Sequence, residues 1–446
     1  MRNTDLLSHQ MTALQLSSNK DHSTEFCVLA DLLIPGRGKP IHDACLIVKD
    51  TKITHVGPAK DAITHYSELP KTHVKVLMPG MWDCHVHLVG IHRISSDAFV
   101  SASQSPVLSG ARTARDCMLL LNAGFTSVRE MAGYGIQLAQ AIDEGSLVGP
   151  SIYSSNCIIS PTGGHADIHT LHRPWFDDAC SHGMPMALAD GIPECLKVVR
   201  SQLRAGAKVI KICGSGGVGS ELDNPIDQQF SDEEMRVMVE EAARARRVIG
   251  AHCHGKPGIM AALRAGVKTI EHGSYIDEEA ADLMVEKGAI LVATRTIIEI
   301  GLKLGKGILN PRGWEKMQST AKAHWTALQI AIKKGVTLAT GCDIPGSIPG
   351  SSIFTYGVNG QELRWLEKAG LTPLKAIEAA TANGPLTLGP QAPKAGELRE
   401  GFDADFIALD ANPLEDLEIL ADANRVTHVW KLGTLFKSPG KPISCI

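Results

Sequence analysis

The sequence predicts an α/β protein, a closed (β/α)8 TIM barrel carrying a small discontinuous β-sandwich built from both termini. Three observations predict it. Strand-like apolar runs alternate with helical segments through the middle of the chain, and eight of them end near His87, Arg129, Ser155, Lys211, His252, His272, Ala293 and Asp343. Residues able to do chemistry stand at the ends of several of these runs. The two ends of the chain are strand-rich and flank this middle, so they are expected to meet in one small domain.

A chain of 446 residues is long enough for a barrel of ordinary size plus that domain. The expected division is a flexible leader over 1–26, the first part of the sandwich over 27–78, the barrel over 79–394 and the rest of the sandwich over 395–446. The leader is polar and lacks an apolar core segment, so it reads as neither signal peptide nor anchor, and a cytoplasmic location is expected. Charged residues make up 21% and the net charge is −4, which leaves no basic field for nucleic acid. No apolar run is long enough to cross a bilayer, so no membrane partner is expected. The eleven cysteines include no C-x-x-C pair, which argues for reduced, buried thiols and against a zinc finger.

The elements follow in order. Val28–Ala30, Ala44–Val48 and Ile53–Val56 read as short strands, with a turn at Pro35–Gly38. Phe406–Leu409, Val426–Trp430 and Leu435–Phe436 repeat that character at the other end. In the middle, Ser231–Glu234 forms a capping box, followed by the apolar stripe Met235, Met238, Val239 and Ala242 at helical spacing. A further helix is expected near 258–265. The longest irregular stretch, Ile158–Gly191, is rich in Gly, His and Pro and is expected to be a lid or a substrate wall.

The chemistry starts at His85 and His87, which close the first barrel strand. Residues i and i+2 of a strand project to one side, so both imidazoles can reach one point, an arrangement that suits a divalent transition metal. Lys211, His252, His272 and Asp343 then end later strands. The 20-residue step from His252 to His272 fits one compact βα unit. Singly, each has a plainer reading: a salt-bridged lysine, satisfied polar histidines, a turn-capping aspartate. Jointly, and in order at strand ends, they would ring the same mouth of the barrel.

Those motifs resemble the amidohydrolase superfamily: H-x-H after strand one, Lys after strand four, His after strands five and six, Asp after strand eight. Gly401–Phe406 resembles the family's G-x-x-A-D segment. More narrowly, Leu77–His85, Arg204–Lys211, Ala251–Lys256, Thr381–Asn383, Gly389–Pro393 and Val426–Lys431 resemble the metal-dependent carboxypeptidase and prolidase-like branch, and within it the fungal ochratoxinases. The resemblance covers nearly everything after residue 27.

The resemblance implies two divalent metal ions, taken to be Zn2+. His85, His87 and Asp343 would bind the inner one, and His252 and His272 the outer one. Lys211, carboxylated by CO2, would bridge them together with a hydroxide. An unmodified ammonium has no lone pair and would repel two cations, which is why the modification is needed. Asp343 would serve as general base and then acid. The implied activity is hydrolysis of an amide bond to a C-terminal amino acid, in an N-acyl amino acid, a dipeptide or an ochratoxin A-like substrate. Family members also imply a homo-oligomer. His254, His165 and Arg295 are the candidates for contacting the substrate and its carboxylate, whereas His92, His169 and His172 earn no role. Cys342 stands where the family commonly has Thr, which removes a hydroxyl beside Asp343. The rival expectation is a cyclic-amide hydrolase or deaminase of the imidazolonepropionase-like type, which would hold one metal and lack the strand-four lysine. A scaffold that has lost its ligands is disfavoured, because all six ligand positions hold competent residue types.

Overall fold

The computed structural model describes residues 24–93, 104–306, 309 and 311–443. The expected leader lies outside the described residues except for 24–26, and so does Cys445. The first strands are β1 (Glu25–Leu33), β2 (Ile41–Lys49), β3 (Lys52–Pro58) and β4 (Lys71–Pro79). The last are β15 (Phe406–Leu409), β16 (Val426–Lys431) and β17 (Thr434–Lys437). The two ends meet in one seven-stranded mixed sheet, ordered β17-β16-β15-β4-β1-β2-β3. The join is β15 against β4, antiparallel from Phe406↔Pro79 to Leu409↔Val76. Val28, Leu46, Phe406 and Trp430 share one apolar cluster of this sheet. Cys27, Cys45 and Ile47 form another with Ala62 from the short helix Ala59–Thr64.

The barrel strands are β5 (Met81–Val86), β6 (Phe125–Glu130), β7 (Ser151–Ser154), β8 (Ile158–Ser160), β9 (Met186–Leu188), β10 (Ile210–Cys213), β11 (Ile249–Cys253), β12 (Thr269–His272), β13 (Ile290–Val292) and β14 (Thr337–Ala339). β5-β6-β7 and β14-β13-β12-β11-β10-β8-β9 are the two parallel arrays. β7 and β8 are two halves of the third barrel strand: the first half pairs with β6 and the second with β10. Backbone hydrogen bonds Cys84 N→Thr340 O and Asp343 N→His85 O, each 2.8 Å, join the first strand to the last. Gly341 makes this seam possible, because a Cβ there would lie 2.7 Å from His85 Cβ and 2.5 Å from Val292.

Helices fill the crossovers. Asp232–Arg244 begins at Ser231 with both halves of the capping box formed, and Lys256–Ala265 supplies the unit between β11 and β12. The stretch 158–191 departs from the expected irregular loop. It holds β8, the helix Arg173–Ser181 with Pro174 in its first turn, and β9, so short elements that carry little periodicity of their own are stabilised by the sheet edge they join. The ten described cysteines are all free thiols. Among the described residues no helix is long and apolar enough to cross a membrane.

Candidate active site

The parallel register places the chemistry. β10 and β11 pair Cys213 with His252, and β11 and β12 pair Cys253 with His272. His252 and His272 therefore end neighbouring strands at the same level, with ring centroids 4.5 Å apart. β5 is irregular, its pairing with β6 shifting between Asp83↔Val128 and Val86↔Glu130. Both of its imidazoles still converge: Nε2 of His85 and of His87 lie 3.6 and 3.1 Å from Asp343 Oδ1. Lys211 Nζ stands 3.4 Å from His85 Nε2. All six residues expected to gather at one mouth do so.

Backbone conformation aims three of the strand ends. His272, Thr294 and Asp343 have φ of 68°, 56° and 60°, the left-handed region that non-glycine residues enter at a cost of roughly 1–3 kcal/mol. Thr294 Oγ1 sits 2.7 Å from His272 Nδ1, so the turn after β13 orients the imidazole at the end of β12.

His85, His87, His254 and His272 are each held through Nδ1. His87 Nδ1 donates to Ala132 O at 3.0 Å, and His254 Nδ1 lies 2.7 Å from Ser274 Oγ. His85 Nδ1 donates to Glu271 Oε2 at 2.8 Å, and both oxygens of Glu271 also receive Arg129 Nη2, at 2.7 and 2.8 Å. Arg129 and Glu271 have no exposed surface. This buried ion pair fixes the His85 tautomer and points Nε2 into the mouth. Asp83 performs a related task at the seam: its Oδ1 accepts from the amides of His85 and Cys342 at 3.0 and 3.2 Å, and its Oδ2 from Asn359 at 2.6 Å.

The donor set fits metal binding. His85, His87 and Asp343 form one group whose ligand atoms lie within 4.8 Å of one another, and His252, His254 and His272 form a second. Burial, with Lys211 nearby, lowers the His85 imidazole to about 4, and burial lowers His254 to about 3. Burial and the neighbouring imidazoles push His252 and His272 well below the ordinary histidine range. Neutral imidazoles keep the lone pairs a metal needs. Burial raises the Asp343 carboxyl, but the charges of His85, His87 and Lys211 and the hydrogen bond from His87 outweigh it and hold it at about 2. Burial pulls the Lys211 ammonium below its usual range.

The other sequence candidates fall in different places. His254 joins the second imidazole group, its ring stacked on His272 at 4.8 Å. His165 lies against His252, ring on ring at 4.1 Å. Arg295 is buried, and its guanidinium serves Glu299 at 2.6 and 2.8 Å and Ala321 O at 2.7 Å. Cys342 donates its thiol to Asn359 O at 3.1 Å. The glycines after Lys211 permit close packing. A Cβ on Gly214 would meet Cys253 Sγ at 2.5 Å, and one on Gly216 would meet Asn224 O at 2.2 Å. Sequence reasoning missed the roles of Arg129 and Glu271. Their signal was an arginine and a glutamate inside apolar strand runs, where buried charges need partners.

The chain belongs to the amidohydrolase family, whose pattern matches residues 76–436. It is a hydrolase acting on amide bonds. Ochratoxinase of Aspergillus niger is 47% identical over 449 residues, covering 97% of this chain and 91% of that protein. The crystal structure of A. niger ochratoxinase superposes with a TM-score of 0.86 at 46% identity, over 94% of this chain and 97% of the other. A prolidase complexed with N-methylphosphonate-L-proline superposes with a TM-score of 0.83 at 30% identity, covering 93% and 100%.

Proposed function

We propose that this chain is a binuclear zinc amidohydrolase that cleaves the amide bond to a C-terminal amino acid. Substrates would be N-acyl amino acids, dipeptides or ochratoxin A-like amides. His85, His87 and Asp343 would hold the inner ion, His252 and His272 the outer one, and carboxylated Lys211 would bridge them. The ions, when bound, supply Lewis acidity: they polarise the scissile carbonyl and bring water to an acidity near neutral pH.

The observation that carries this reading is Lys211. Among the described residues, its hydrogen-bond contact is a single imidazole nitrogen at 3.4 Å, and it is 1% exposed. A cationic ammonium in that position costs several kcal/mol of lost hydration. Burial lowers its pKa and so favours the neutral amine, which is the form that adds to CO2. The resulting carbamate would be an anion facing the two groups of neutral imidazoles.

The chain's own residues then move the proton. Asp343 is ionised at neutral pH and positioned beside both β5 histidines, so its carboxylate can accept a proton from the attacking water and return it to the leaving nitrogen. His165 lies against His252 and His254 against His272, which makes these two the nearest candidates to contact the substrate. Arg295 would reach a substrate only by surrendering Glu299.

A panel of N-acyl amino acids varied at the C-terminal residue, run with zinc and bicarbonate, is the direct assay. Turnover lost on chelation and restored by zinc is expected. Equal turnover in chelator would end the reading. Selective turnover of cyclic amides with one metal per chain would support the imidazolonepropionase-like rival.

A further inference from the structure

The long helix Pro311–Lys334 contributes one residue to the mouth from outside the barrel strands. Lys316 Nζ donates to three carbonyls of one loop: Gly217 at 2.8 Å, Ser220 at 2.6 Å and Asp223 at 3.0 Å. An ammonium has three protons, and all three are used. Its side chain is 17% exposed, so these bonds are shielded from competing water.

The clamped loop follows β10 and holds His165. Ser220 Oγ lies 2.9 Å from His165 Nδ1 and donates to Gly217 O at 3.4 Å, so the hydroxyl oxygen accepts from the ring and leaves Nε2 as its open lone pair. Asp223 Oδ2 accepts from the Gly217 amide at 2.7 Å and lies 3.7 Å from His165 Nδ1. Gln229 accepts from the His165 amide at 3.0 Å. Gly217 leaves the space that the ring occupies: a Cβ there would come within 2.0 Å of it. The same loop closes on the outer histidines, because the Gly255 amide, next to His254, donates to Pro225 O at 2.9 Å.

We propose that Lys316 is a positioning residue: it locks loop 217–223 so that His165 stays stacked on His252 at the substrate side of the mouth. This rests on the reading of that mouth as the substrate-binding site. Lys316 acts through His165 and touches none of the six expected ligands. Losing it should therefore weaken substrate binding and leave zinc affinity in place.

Hydrogen exchange and kinetics on the zinc-loaded full chain separate the possibilities. In Lys316→Met, the amides of 217–224 should exchange at least about tenfold faster than in the wild type, with the barrel strands unchanged. With N-benzoylphenylalanine, KM should rise about tenfold while kcat moves less than about twofold. Lys316→Met combined with His165→Ala should be no worse than His165→Ala alone, because both remove the same contact. Unchanged loop exchange in Lys316→Met, or full additivity of the two substitutions, would overturn the assignment. If the wild type hydrolyses none of the amide panel, the functional reading falls, and the exchange comparison alone decides on the clamp.

Discussion

Consider Glu271→Gln, a change of one atom beneath the site. The carboxylate receives Arg129 Nη2 at 2.7 and 2.8 Å, Thr269 Oγ1 at 2.5 Å and His85 Nδ1 at 2.8 Å, all in a region without solvent. An amide offers one acceptor and two donors, so one donor must face either the guanidinium or the imidazole N–H. The Arg129 cation is left without its counterion, and breaking a buried pair on one side costs about 3–5 kcal/mol. His85 also loses the anion that fixes its tautomer, a change that lowers metal affinity about 10–100-fold. Urea unfolding of the metal-free protein measures the first effect, and zinc titration against a chromophoric chelator measures the second. Arg129→Met with Glu271→Gln removes both charges, so it should regain most of the stability while its zinc affinity stays low. A folded Glu271→Gln protein that binds zinc within about twofold of the wild type would refute the reasoning.

Three further outcomes are expected. Gly217→Ala forces the new Cβ into the His165 ring, so it should cost about 1–3 kcal/mol and shift the ring off His252, visible in a crystal structure. His324 is buried and donates Nε2 to Ala293 O at 2.7 Å, and burial lowers its pKa from 6.5 to about 4. Protons therefore bind the unfolded chain preferentially between those values. The fold keeps its full stability above about pH 6.5 and loses it as pH falls toward 4. His324 accounts for about 2 kcal/mol of that loss by pH 5, and His324→Gln should lose correspondingly less than the wild type in acid unfolding titrations of metal-free protein. Cys342 is 1% exposed and burial raises its thiol far above the usual range, so it should resist a disulfide reagent until the chain unfolds. Rapid labelling of native Cys342 would contradict that.

The barrel was legible because eight apolar runs alternate with helical segments, and because the strand ends carry residue types that together suit a metal centre. The six convergent residues follow from that order alone. Positions set by tertiary contact were not legible. The helix Arg173–Ser181 and the short β8 and β9 carry too few residues for a periodic signal. Cys253 and Asn224 pack against two of the glycines behind Lys211, a fact no local pattern encodes. Arg129, Glu271 and Lys316 work through partners 142 and 93–99 residues away in sequence, beyond any window of local reading.

The most direct measurement is metal content together with the chemical state of Lys211. Metal-free protein, reloaded with zinc in 13C-bicarbonate, should bind two ions per chain and show one carbamate carbon resonance that Lys211→Ala abolishes. Two ions bound without that resonance, or a single ion held equally well by Lys211→Ala, would contradict a centre bridged by this lysine.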